Sequence, residues 1–106
     1  MRQFVHERDW DQFHSPKNLA MSLAIETAEL MEHFQWVTVE ASRQLTADPS
    51  KREAIGEELA DVLSYTLALA NSLDLDLATI FLDKMSKNAR KYPVESSRGK
   101  SDRPTP

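Results

Sequence analysis

The apolar residues of this chain recur at intervals of three and four, the repeat of a helix with one buried face. Leu19, Leu23, Leu30, Phe34 and Val37 form one such stripe, over a first long helix expected from Pro16 to about Trp36. Ser15 is its N-cap, and Pro16 takes the first helical position, where a missing N–H does no harm. A second stripe, Ile55, Leu59, Val62, Thr66, Leu69 and Leu73, predicts a second long helix from about Pro49 to Leu73, with Asp48 or Ser50 as its cap. Asp74-Leu75-Asp76 turns into a third helix, with Asp76 as N-cap, Leu77, Ile80, Phe81 and Met85 as its apolar side, and Pro93 as its stop. Shorter helices are expected over residues 1–9, anchored by Phe4 and Val5, and from Thr38 to Leu45. The turn between, residues 9–14, is unusually aromatic for a loop. The fold class is therefore all-α, a helical domain over residues 1–93 followed by a polar tail, 94–106, without regular structure.

Two acidic pairs interrupt this pattern. Glu26 falls in the middle of the first stripe, with Glu29 on its shoulder beside His33 and Trp36. Glu58 lies within the second, with Asp61 on its shoulder next to Tyr65. Residues three apart on a helix project from one side, so each helix offers two carboxylates in one direction. Taking anions out of water without compensation is costly, several kcal/mol per ion as an order of magnitude. A cation is expected to meet them. Glu32, Glu53 and Glu57 point elsewhere and read as solvated.

Composition narrows the choice. At 106 residues the chain is one small domain with two glycines and no cysteine, which favours helix and rules out disulfides and thiolate metal sites. A helical domain of this size gains by sharing its core with a partner subunit. Residues 1–8 are charged throughout and lack the apolar run of a secretory signal. The longest uncharged stretch, Val62 to Leu73, is too short and too polar to span a bilayer, so a cytoplasmic protein with no membrane partner is expected. Residues 1–83 hold 15 acids against 6 Lys/Arg, whereas residues 84–106 hold 7 Lys/Arg against 2 acids. That balance would repel a nucleic acid polymer and suits a small anion held between acids and cations.

Hard oxygen donors without thiolate or histidine at ligand spacing point to Mg²⁺, with Mn²⁺ as the alternative, over zinc or copper. Such ions are shared with substrate phosphates. Lys84, Asn88 and Tyr92 are spaced by four on the third helix and share a face, with Arg90 or Lys91 nearby, so this helix offers phosphate-binding groups. Trp10 and Trp36 are candidates for stacking on a base, and His14 sits in the same aromatic loop as Trp10. His6 and His33 read as structural. Glu29, Glu58 and Asp61 are the leading candidates for activating water, and the residues alone do not choose between them.

These motifs in their order resemble a known family. Glu7-Arg8-Asp9-Trp10, Gln12-Phe13-His14, Phe34-Gln35-Trp36, Glu57-Glu58-Leu59-Ala60-Asp61-Val62-Leu63, Lys84-Met85, Asn88, Tyr92-Pro93-Val94 and Ser97-Arg98-Gly99, with the two acid pairs, resemble the MazG-type all-α nucleotide pyrophosphohydrolases, most nearly their dCTP pyrophosphatase branch. The resemblance implies Mg²⁺-dependent hydrolysis of a nucleoside triphosphate to monophosphate and pyrophosphate. It implies that Glu26, Glu29, Glu58 and Asp61 hold metal, that Lys84, Asn88 and Tyr92 lie by the phosphates, and that Trp10 and Trp36 enclose the base. It also implies assembly as dimers or as tetramers built from two dimers. Two rivals remain beside it. A pyrophosphohydrolase of another or modified nucleotide shares the chemistry, whereas a non-catalytic helical interaction module predicts no cation dependence. A di-iron carboxylate bundle is disfavoured, because no Glu stands three residues before His6, His14 or His33.

Overall fold

The computed structural model describes residues 2–8, 15–94 and 98–99, and everything below refers to these. They form α1 (Arg2–Glu7), α2 (Pro16–Glu32), α3 (Val39–Ser42), a 3₁₀ turn (Leu45–Ala47), α4 (Pro49–Ser72) and α5 (Leu77–Lys91), with no strand among them. The all-α class holds. Two compact units result, residues 1–74 and residues 75–106.

Local side-chain chemistry sets most helix starts. The Ser15 hydroxyl accepts from the Asn18 N–H at 3.1 Å, Thr38 from Ala41 at 3.0 Å, and Asp48 from Ser50 at 2.9 Å. Each such cap satisfies an N–H that has no partner inside the helix. The end of α2 departs from expectation: the helix stops at Glu32, four residues before Trp36. Past it the chain tightens, with the His33 N–H donating to Leu30 O (3.2 Å) and the Phe34 N–H to Met31 O (2.9 Å). Such three-residue bonds are the usual way a helix end satisfies its last carbonyls.

In the first unit α2 packs against α4. Leu19, Ile55, Ala68 and Ala70 are buried, and Leu23, Leu30, Phe34, Val37, Val62, Tyr65, Thr66 and Leu69 are half-buried around them. Two assignments on α4 are corrected. Leu59 and Leu73 were placed in the core stripe but are 53 and 47% exposed. The packed face of α4 is turned toward Glu58 and Tyr65, so Leu59 and Leu63 fall on the opposite flank. Phe4, expected as an anchor of α1, is 47% exposed and lies under the Arg8 guanidinium, 3.7 Å from its ring centre.

Leu73 closes α4, and Asp74 follows with φ 58°, the left-handed backbone that commonly ends a helix. In the second unit Asp76 caps α5 twice over: the Thr79 N–H donates to it at 3.2 Å and the Thr79 hydroxyl at 2.9 Å. These bonds, the backbone one foremost, hold the Asp76 carboxyl below its ordinary value. Ile80, Phe81, Leu82 and Met85 on α5 are all exposed. No helix among the described residues is long and apolar enough to cross a membrane.

Candidate metal centre

The α2–α4 contact brings the two acidic pairs together. One carboxylate oxygen from each of Glu26, Glu58 and Asp61 lies within 4.8 Å of the others. Glu26 and Glu58, the central members, are half-buried, and Asp61 and Glu29, the lateral ones, are exposed. The shielding expected for all four acids therefore applies to two of them. Glu29 stands outside the close trio, yet its charge acts on both Glu26 and Glu58.

The electrostatics of the cluster suit a cation. With the acids ionised, Glu26 Oε2 and Glu58 Oε2 are buried with no hydrogen-bond donor among the described residues. Buried polar oxygens are ordinarily paired, so two such atoms side by side on neighbouring helices call for a donor or an ion. Loss of water around Glu26 raises its pKa from 4.5 to about 7, and a hydrogen bond and negative charge from Glu29, then the charges of Asp61 and Glu58, add to the effect. Glu58 is raised by the same loss of water and next by the charge of Glu29, while a hydrogen bond with Glu26 pulls the other way. Without a cation, a proton on Glu26 partly relieves the repulsion. With its oxygen-only donors and clustered negative charge, this set fits a hard divalent ion.

The remaining candidate residues are placed as follows. Trp36 sits in the turn after α2 and is 89% exposed, an indole face open to a ligand. Lys84 and Asn88 lie on α5 and Tyr92 is its C-cap; Lys84 is exposed, Asn88 and Tyr92 half-buried. The Tyr92 N–H donates to Asn88 O at 2.8 Å, and the Lys91 ammonium lies 5.7 Å from the Tyr92 ring centre. These three belong to the second unit and the acids to the first. Trp10 and His14 lie outside the described residues, as does most of the 94–106 tail.

A family model described as the MazG-like family matches residues 21–103, a span that holds both acidic pairs and α5. The chain belongs to the MazG-like family. Among MazG-like relatives, dCTP pyrophosphatase 1 of Bos taurus is 46% identical over 97 residues, which cover 92% of this chain and 57% of that protein. The Homo sapiens protein of the same name is 44% identical over 99 residues, 93% of this chain and 58% of its own length. This chain thus spans rather less than two thirds of these curated relatives. The crystal structure of a pyrophosphatase from Archaeoglobus fulgidus superposes with a TM-score of 0.77 at 40% identity, covering 87% of this chain and 84% of that one.

The sequence reading missed an exposed row on the first unit. Leu59, Leu63 and Leu67 on α4 are 53, 57 and 37% exposed, and Met21 and Ile25 on α2 are 54 and 58% exposed. The signal was available, since Leu59, Leu63 and Leu67 are spaced by four and run past the helix-interior Gly56.

Proposed function

We propose that this chain hydrolyses a nucleoside triphosphate, dCTP or a related pyrimidine nucleotide, to the monophosphate and pyrophosphate, using Mg²⁺ with Mn²⁺ as a substitute. The observation that carries this reading is the pair of buried, unpartnered carboxylate oxygens of Glu26 and Glu58 set beside Asp61. Membership of the MazG-like family and the similarity to proteins named dCTP pyrophosphatase support the substrate class.

Glu26, Glu58, Asp61 and Glu29 would hold the ion. A divalent cation supplies charge neutralisation for the triphosphate and a lower pKa for an attacking water. The chain's own groups do the rest. One of Glu29, Glu58 and Asp61 accepts the proton of the attacking water as its oxygen bonds to phosphorus. The bridging bond between the α- and β-phosphates breaks, and pyrophosphate leaves with the bridging oxygen or without it, according to which phosphorus is attacked. Lys84, Asn88 and Tyr92 hold the outer phosphates by charge-assisted and neutral hydrogen bonds. Trp36 stacks on the base, an interaction of about 1–3 kcal/mol, with Trp10 and His14 closing the base side.

The working molecule in this reading is a homo-oligomer, a dimer or a pair of dimers, and it acts in the cytoplasm on the nucleotide pool. Only Leu19, Ile55, Ala68 and Ala70 are buried among the described residues, while sixteen large apolar side chains remain exposed. A second copy is the economical cover for such surface. The test is a panel of ribo- and deoxynucleoside triphosphates with Mg²⁺ and separate detection of pyrophosphate and phosphate. Release of pyrophosphate, greatest with dCTP or another pyrimidine, is expected. A non-catalytic helical module would release neither product, with or without the cation.

A further inference from the structure

One helix of the first unit is apolar on two sides. α4 packs on α2, and its sheltered flank holds Ile55, Glu58, Val62 and Leu69. On another flank Leu59, Leu63 and Leu67 repeat at intervals of four, and all three are exposed. Toward the helix start the same row continues through Gly56 to Arg52, both exposed. Just past the helix end stands Asp74, also exposed. Gly56 adds an independent observation. A Cβ built there meets nothing within 4 Å among the described residues, so no neighbour in the chain calls for glycine. In a helix interior glycine costs stability relative to alanine, and one of its uses is to let another group approach the backbone closely.

An interface between two identical copies has to be self-complementary: where one residue meets a second, the second meets the first. The row on α4 has this property about Leu63. Leu59 and Leu67 lie four residues to either side of it, and Arg52 and Asp74, of opposite charge, lie eleven to either side. Antiparallel pairing about Leu63 sets leucine against leucine along the middle and Arg52 against Asp74 at both ends. Parallel pairing would set Arg52 against Arg52 and Asp74 against Asp74. The antiparallel arrangement also brings Arg52 to the C-terminal end of the other α4, where the helix dipole favours a cation. We propose that this face of α4 is an interface between two copies of the chain, the helices antiparallel and Leu63 on the two-fold axis. The proposal deepens the homo-oligomer reading above and does not depend on the substrate.

The chain has no cysteine, so introduced thiols report on this face without background. The full chain is oxidised with diamide, which takes two electrons and two protons from each pair of thiols, while sedimentation and melting temperature are measured alongside. Leu63→Cys alone should form a dimer-sized disulfide, because a residue on the axis faces its own copy within the Cα separation a disulfide needs, about 4.4–6.8 Å. Leu59→Cys and Leu67→Cys should each stay unlinked alone and link when co-expressed. Arg52→Glu should weaken dimerisation by about 2- to 30-fold at low salt, the effect of two exposed ion pairs, and Asp74→Lys added to it should restore the parent's affinity. If Leu63→Cys does not fold, the co-expressed pair carries the test. The interface is overturned, with assembly itself standing, if the parent sediments as a dimer or larger species and neither Leu63→Cys nor the co-expressed pair links. It is equally overturned if Leu59→Cys links to itself as readily as to Leu67→Cys, the mark of parallel pairing. A parent that sediments as a monomer at every concentration overturns the assembly reading and this proposal together.

Discussion

The raised pKa of Glu26 makes cation binding a proton exchange, and this can be counted. In the folded, cation-free chain Glu26 keeps its proton up to about pH 7, whereas the unfolded chain releases it near the ordinary value of 4.5. The folded state therefore binds more protons between these values. Its stability is fully present below the unfolded pKa and declines as pH rises through the folded one. A divalent ion needs the carboxylate ionised, so it must displace whatever proton remains. For a single group of pKa about 7, the apparent affinity for Mg²⁺ falls about tenfold between about pH 8 and about pH 6. The protons released per ion bound rise from about 0.1 to about 0.9 over the same interval. The elevated Glu58 pushes in the same direction. Calorimetric titration of the cation-free protein with Mg²⁺, repeated in buffers of different ionisation enthalpy, reads both quantities. Glu26→Gln should bind Mg²⁺ more weakly at high pH and lose most of the pH dependence and proton release. An affinity independent of pH in the parent, with no proton release at pH 6, would refute the reasoning.

Three further outcomes follow from packing and exposure. Leu19 is 2% exposed, so Leu19→Ala should cost about 2–5 kcal/mol in equilibrium unfolding; a loss near zero would mean that the α2–α4 core does not hold the first unit. A Cβ added at Gly56 meets nothing within 4 Å in this chain. Gly56→Ala should accordingly raise folding stability at low protein concentration by about 0.5–1 kcal/mol, and weaker self-association of the same variant would place a second copy against that side of α4. Leu63, 57% exposed in the apolar row, should tolerate Lys without loss of fold, while sedimentation shows a shift toward smaller species; unchanged assembly would locate the interface elsewhere.

Much of this architecture was legible because it is written locally. Ser15, Asp48 and Asp76 satisfy backbone N–H groups two or three residues away, and such caps depend on little else. The convergence of the acids was legible too, since spacing by three on two apolar stripes leaves little choice once the helices pair. What failed needed tertiary information. Nothing in His33-Phe34-Gln35-Trp36 breaks a helix by composition, as Gly or Pro would, yet the chain tightens there and lifts Trp36 into solvent. Leu59 sits close enough to the Ile55–Val62–Leu69 line to read as core, but α4 is rolled toward Glu58 and leaves it outside. Which flank of an apolar helix packs within the chain depends on the neighbour, and sequence periodicity does not name the neighbour.

The central claim is that Glu26, Glu29, Glu58 and Asp61 are assembled to hold a divalent cation. Thermal melts of the parent and Glu58→Gln, each with and without Mg²⁺, test it most directly. The parent should gain melting temperature with the ion. Glu58→Gln, having lost one shielded charge, should melt at or above the cation-free parent and gain little from Mg²⁺. If Glu58→Gln instead melts below the cation-free parent and responds to Mg²⁺ as the parent does, the acids are not the cation site.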